Sequence, residues 1–168
     1  MENTVTTYHP DHNPVPSPPF YLRLVRLAPW ILRLPFASQI ILKGLKNVHS
    51  CQIAPGFYSV IPEFLTACDV NLNDTVFINY APVIVGSGSS FSGENLLLTS
   101  THSSDDFSLV TAKPINIGRN TWITYRCIIL GGVTIGDNVI IGAGSVVVND
   151  IPSNVLASGN PCRVIKAI

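Results

Sequence analysis

Charge is scarce in this chain: of its 168 residues only 12% are Asp, Glu, Lys or Arg, and the formal net charge is zero. A nucleic-acid partner needs a concentrated basic face, so that class is not expected. The four cysteines, Cys51, Cys68, Cys127 and Cys162, form no CxxC pair, and neither a zinc knuckle nor a redox dithiol is signalled. Scattered thiols of this kind read as small buried hydrophobes of a reducing compartment, which points to the cytoplasm. An uninterrupted apolar span is missing as well. Residues 20–45 are apolar but carry Arg23, Arg26, Pro29, Arg33 and Pro35, whereas a membrane-crossing helix needs about 20 apolar residues with few charges. A short helix packed on the domain is expected there, with peripheral membrane contact through residues 20–45 as the sharper alternative. The stretch before it does not resemble a secretion signal, and none is expected. Residues 1–19 are polar and end in Asn13-Pro14-Val15-Pro16-Ser17-Pro18-Pro19, which reads as an extended or disordered arm.

What the chain does have is a strict period. Ile117, Ile123, Ile129, Ile135, Ile141 and Val147 follow one another every six residues. The position four residues after each is small or β-branched: Thr121, Cys127, Val133, Val139, Ser145 and Ile151. Six is no helical period, because an α-helix would scatter such a set over all its faces. It is the period of a parallel β-helix built from hexapeptides, three to a triangular turn, with the periodic aliphatics stacked inside and Gly or Asn at the corners. Earlier the rhythm is looser. Val85, Phe91 and Leu97 keep it, and Leu72 and Ile78 are read as inward with a one-residue slip before Val85. Leu45, Cys51 and Phe57 suggest an opening turn, and residues 59–69 fit no assignment. Between Leu97 and Ile117 lie 20 residues instead of a multiple of six, so a polar loop containing Ser100-Thr101-His102-Ser103-Ser104-Asp105-Asp106-Phe107 is inserted. A loop projecting from a stiff scaffold is where function concentrates. The expected organisation is an all-β fold: an arm and short helical segment over 1–45, then a β-helix over 46–168 with a functional loop at 99–113.

Several motifs carry a resemblance: Phe77-Ile78-Asn79-Tyr80, Thr99-Ser100-Thr101-His102, Lys113–Gly118 with Trp122, Ile141-Gly142-Ala143-Gly144-Ser145, and Gly159-Asn160-Pro161-Cys162-Arg163-Val164-Ile165. In these the chain resembles the hexapeptide-repeat O-acetyltransferases, which include maltose and galactoside acetyltransferases and those of colanic-acid-type exopolysaccharide synthesis. The resemblance implies a left-handed parallel β-helix, a homotrimer with active sites between neighbouring subunits, acetyl-CoA as acyl donor without a metal, and a sugar or glycan hydroxyl as acceptor. It assigns His102 as general base, a role suited to imidazole near neutrality. Asn79 would orient the acceptor or the acetyl group, though a corner asparagine is an equal reading. Trp122, Tyr125, Gly142, Ala143, Arg163 and Lys166 would meet coenzyme A, the last two at its phosphates. Backbone amides near Thr124 and Tyr125 would serve the oxyanion, and Asp105 or Asp106 would orient His102.

The chain also departs from that pattern. Thr124-Tyr125 replaces the usual small residues after the tryptophan, which is expected to narrow the acyl pocket. Asn149 replaces a common lysine before Asp150. The stretch from Asn79 to His102 is shorter than in the maltose and galactoside members and lacks their acidic residue; in length it is more like the exopolysaccharide type. γ-Type carbonic anhydrases share the β-helix but need three histidines around zinc, and only His49 and His102 lie in the repeat region. A non-catalytic trimeric scaffold is the alternative of a different class. Antibiotic acetyltransferases, which share the histidine loop but carry a longer tail, are a minor one.

Overall fold

The computed structural model of the protein describes residues 5–27, 30 and 37–168. Short parallel strands stack into three sheets, the faces of a triangular prism. Face I holds Tyr58–Ser59, Val76–Ile78, Leu96–Leu98, Ile128–Leu130 and Val146–Val147. Face II holds Val48–His49, Leu65–Cys68, Val83–Val85, Ile115–Ile117 and Thr134–Ile135. Face III holds Gln52–Ile53, Asn71–Asn73, Ser90–Phe91, Trp122–Ile123, Ile140–Ile141 and Val155–Gly159, with Cys162–Ala167 folded back antiparallel at its end. The chain visits faces II, III and I in that order. The result is a left-handed parallel β-helix.

The six-residue period has a direct structural cause. Ile117, Ile123, Ile129, Ile135, Ile141 and Val147 all point inward and are 3% exposed or less, and their companions four residues on are buried too. Parallel pairing puts like on like: Ile117 on Ile135, Ile123 on Ile141, Ile129 on Val147. Each β-branched side chain therefore packs against its copy one coil away, which is how a fully buried parallel sheet is normally filled. Corner residues turn the chain with positive φ, among them Asn120 (52°), Arg126 (55°) and Asn138 (53°).

Three expectations are revised. The inward residue of Val76–Ile78 is Phe77, which is fully buried and pairs with Leu97, while Ile78 faces outward. Side chains alternate along a strand, so a phase error of one residue exchanges the two faces. Residues 59–69 belong to the prism: they contain Ser59 of face I, a 3₁₀ turn at Pro62–Phe64 and the whole strand Leu65–Cys68. Cys68 is exposed at the end of that strand, whereas Cys51, Cys127 and Cys162 are buried; all four are free.

The N-terminal region is more ordered than its composition predicts. Thr6–Tyr8 forms a strand, and Phe20–Leu27 (α1) and Ala37–Gly44 (α2) are helices. Leu22, Ile41 and Leu45 enter the main core cluster, so the helices close the first coil of the prism. Pro29, Arg33 and Pro35, which interrupt the apolar run, lie outside the described residues. Among the described residues no helix is long and apolar enough to cross a membrane.

Candidate active site

The inserted loop is a β-hairpin on the edge between faces I and II. Ser100–His102 pairs antiparallel with Val110–Ala112, bringing His102 opposite Val110. The tip is held locally: Ser103 donates to the Leu109 carbonyl (2.9 Å), and the Ser108 amide donates to Asp106 Oδ1 (2.8 Å). His102 is exposed, and its Nδ1 lies 2.7 Å from the Phe107 carbonyl oxygen. A carbonyl only accepts, so Nδ1 must carry the proton of this bond. In the neutral ring Nε2 then has the free lone pair, which is the state a general base requires.

The orienting group is thus a backbone carbonyl and not Asp105 or Asp106. Asp106 accepts from Ser108, and that bonding holds its carboxyl below the usual aspartate range. Asp105 accepts from Ser104 Oγ. A cleft of about 480 Å³ opens beside the imidazole, lined by Val15, Tyr80, Leu98, Thr101, His102 and Val110 among others. Sequence reasoning had no means of finding the Phe107 carbonyl, because a backbone acceptor leaves no mark in residue type.

Asn79 lies on the same edge one coil earlier, but its side chain is fully buried. Its Oδ1 accepts from Ser59 Oγ (3.0 Å) and from the amides of Val60 (3.0 Å) and Ile61 (3.1 Å), while Nδ2 donates to the Ile61 carbonyl (2.7 Å). In this arrangement the amide is spent on the corner below it. The corner-asparagine reading fits this geometry; an acceptor contact does not.

The residues expected to meet coenzyme A gather elsewhere, on face III and on the edge between faces III and I. Trp122 is 48% exposed and donates from Nε1 to Ser92 Oγ (3.0 Å). Along its row follow Ile140, Leu156 and Lys166. Tyr125 hydrogen-bonds to Glu94, whose other carboxylate oxygen accepts from Arg126 Nε at 2.7 Å. The Arg126 guanidinium also lies 5.2 Å from the Tyr125 ring centroid. Arg126 and the Tyr125 hydroxyl hold the Glu94 carboxyl below its usual range, and Glu94 raises the Tyr125 phenol.

Tyr125 therefore does not narrow the edge at Gly142–Gly144. Its ring lies over Gly93 of the preceding coil, so close that a Cβ there would sit 2.6 Å from Cε2. Gly142 is small for another reason than the one expected: a Cβ on it would meet Ser158 Oγ of the next coil at 2.5 Å. Open space begins at the exposed Ala143 and at Gly144, where an added Cβ meets nothing within 4 Å. The Thr124 amide is bonded to the Ile141 carbonyl at 3.1 Å, which removes it from the oxyanion role. Arg163 and Lys166 are exposed on the final strand, with Arg163 opposite Ser158.

The described residues thus place the exposed His102 hairpin on the I/II edge, and the small residues Ala143 and Gly144 on the edge at the other side of face I, with Arg163 and Lys166 on the final strand of face III. Among the described residues no three His, Cys, Asp or Glu side chains come together as a metal site. A solenoid of hexapeptides with an exposed histidine on an inserted hairpin resembles the hexapeptide-repeat transferases.

Comparison with known proteins agrees. The family described as bacterial transferase hexapeptide (six repeats) matches residues 114–149. Galactoside O-acetyltransferase of Escherichia coli (strain K12) is 62% identical over 55 residues, 33% of this chain and 27% of the relative. The alignment thus spans about a quarter of that relative's length. Two solved structures match most of the fold. A maltose O-acetyltransferase from Clostridium difficile 630 superposes with a TM-score of 0.70 at 28% identity, covering 88% of this chain and 84% of the other. The hexapeptide-repeat-containing acetyltransferase VCA0836 from Vibrio cholerae, complexed with acetyl-coenzyme A, gives 0.78 at 26%, covering 87% and 84%. The chain resembles these acetyltransferases along nearly all of its prism.

Proposed function

We propose that the protein is an acetyl-CoA-dependent O-acetyltransferase acting on a hydroxyl of a sugar or glycan. The observation that carries this reading is the Nδ1 bond from His102 to the Phe107 carbonyl, which leaves Nε2 as the proton acceptor. Nε2 takes the proton of the acceptor hydroxyl as its oxygen attacks the thioester carbonyl. The tetrahedral intermediate collapses, the carbon–sulfur bond breaks, and the imidazolium returns its proton to the departing thiolate of coenzyme A. Ala143, Gly144, Trp122, Arg163 and Lys166 are assigned to the donor, the two cations to its phosphates. Asn79 is assigned to structure.

The site is completed by a homotrimer. Face I turns Val76, Ile78, Leu96, Leu98, Ile128, Leu130, Val146 and Val148 outward, an unbroken apolar surface. Such a surface marks an interface. If face I lines a three-fold axis, its two edges meet the opposite edges of the neighbouring copies, and each closed contact pairs a His102 edge with an Ala143 edge. The acceptor is read as a glycan of exopolysaccharide synthesis, and the four free thiols suit the cytoplasm. Peripheral membrane contact is assigned to the exposed Phe20, Leu27, Trp30 and Ile40, with Arg23 and Lys43 beside them. Absence of liposome binding by the intact protein would remove that assignment.

The test is acetyl-CoA turnover, read as thiol release against a panel of sugars and glycan intermediates, for wild type and His102→Ala. Loss of a general base costs about 10²–10⁴ in rate, and the drop is expected with acetyl-CoA binding retained and a trimer in sedimentation. Donor binding without turnover on any acceptor would favour the non-catalytic scaffold. A monomer would undo the shared site.

A further inference from the structure

The N-terminal arm lies outside the repeat, yet it is built into the hairpin that carries His102. Thr6–Tyr8 pairs antiparallel with Val110–Ala112 on the side opposite Ser100–His102, making a three-stranded sheet. The register puts Tyr8, Val110 and His102 in one row across it. Directly paired residues on adjacent antiparallel strands project to the same face, so the three side chains share a side. Tyr8 is only 4% exposed and packs with Tyr80, Ala81 and Ala112 in a small core separate from that of the prism. Its ring meets Tyr80 edge-on at 5.9 Å, and its hydroxyl donates to the Tyr80 carbonyl at 2.5 Å.

Tyr80 is itself held. Its amide and that of Ala81 donate to Thr99 Oγ1, and it follows Asn79 with its buried clamp on the corner below. A series of contacts thus runs from the prism edge through Tyr80 and Tyr8 to Val110, the residue paired with His102 across the hairpin. A two-stranded hairpin alone is marginal in water; the arm supplies the third strand and the anchor.

Beyond Tyr8 the chain turns through paired His9 and Asn13 and brings Val15 to the cleft beside His102. The cleft is therefore lined by apolar Val15, Tyr80, Leu98 and Val110 together with polar Ser100, Thr101 and His102. A pyranose has a matching mix, an apolar C–H face and a rim of hydroxyls.

We infer that the arm is part of the acceptor site: Tyr8 is a positioning residue for His102, and Val15 is a specificity-determining wall against the apolar face of the acceptor sugar. This rests on the acetyltransferase reading above. The test uses the full chain with Tyr8→Phe and Val15→Trp, measuring kcat and both KM values. Tyr8→Phe keeps the ring and removes one hydrogen bond, a change of about tenfold or less. It is expected to lower kcat severalfold with both KM values held, and to speed amide exchange at Val110–Ala112. Val15→Trp is expected to raise the acceptor KM about tenfold with the acetyl-CoA KM unchanged. If His102→Ala abolishes turnover while both arm variants match wild type, the arm inference falls and the acetyltransferase reading stands. If wild type transfers to no acceptor, both fall.

Discussion

Replacing Asn79 by alanine separates a structural clamp from a catalytic contact. The side chain makes four hydrogen bonds, all to residues 59–61, two of them buried and two part-buried. Alanine restores none of them, and the Val60 and Ile61 amides, the Ser59 hydroxyl and the Ile61 carbonyl lose this partner. A net loss of about 1 kcal/mol per bond, more where a buried donor is left unpaired, gives about 3–5 kcal/mol. That is a large part of the roughly 5–15 kcal/mol that hold an ordinary domain. Urea unfolding at one fixed protein concentration reads the loss as a lowered midpoint with unchanged slope; the concentration is fixed because assembly adds to apparent stability. Steady-state kinetics on the folded fraction, well below the transition, completes the comparison. The expected result is a strongly lowered midpoint with kcat within a few-fold of wild type, the residual effect passing through Tyr80. A midpoint shift worth less than about 1 kcal/mol together with a hundredfold loss in kcat would refute the clamp and make Asn79 an acceptor contact.

Two further outcomes follow from the chemistry of the edges. Burial raises the thiols of Cys51, Cys127 and Cys162, while Cys68 is exposed; a thiol reagent at pH 8 should titrate one cysteine quickly in the native protein and four in denaturant. More than one fast thiol would mean that the prism is looser than described. The Glu94 carboxyl is held low by Arg126 and Tyr125. A depressed carboxylate stabilises above its unfolded pKa and loses that contribution as pH falls through its folded value. The stability gap between wild type and Glu94→Gln should therefore be present at neutral pH and close in acid, and a gap unchanged down to about pH 2, below the unfolded glutamate range, would contradict the pairing.

The C-terminal coils were legible in the sequence because one constraint dominates them. Every sixth residue from Ile117 to Val147 must fill the same column, and only aliphatics do so without leaving a void or an unpaired polar atom. Phe77 and Ile78 defeated the same reading, since both are apolar and period alone does not say which points inward. The insertion that carries His102 was legible because a polar stretch that breaks a rigid repeat is conspicuous, and it is a hairpin at the prism edge. Tyr125 and Gly142 were misjudged through their neighbours in space: the ring of one is drawn over Gly93, and the size of the other is set by Ser158. Contacts between coils join residues 16–32 positions apart, and sequence spacing carries no direct mark of them.

Where the repeat fails is as informative as where it holds. From face II to III and from III to I, the inward residues stay five or six positions apart throughout: Val85 to Phe91, Phe91 to Leu97, Ile117 to Ile123, and Ile123 to Ile129 each span six. From face I to II the spans are eight for Ser59 to Ala67, eight for Phe77 to Val85, and 20 for Leu97 to Ile117. All the added length thus falls on one edge and in consecutive coils. The first added corner is the one Asn79 clamps, the second carries Tyr80, and the third is the hairpin with His102. A regular solenoid edge has no cavity, because each coil covers the one before it. Extra residues in successive coils lift the chain off that edge and open the cleft between Tyr80 and the hairpin, and the arm closes its outer side. The later spans return to six for Ile129 to Ile135 and four for Val147 to Ile151, so the I/II edge is flush again beneath the hairpin. Shortening the corner Asn79–Pro82 by two residues would restore the period there, and it should remove the cleft beside His102 while leaving the Ala143 edge, and with it the proposed acetyl-CoA binding, in place.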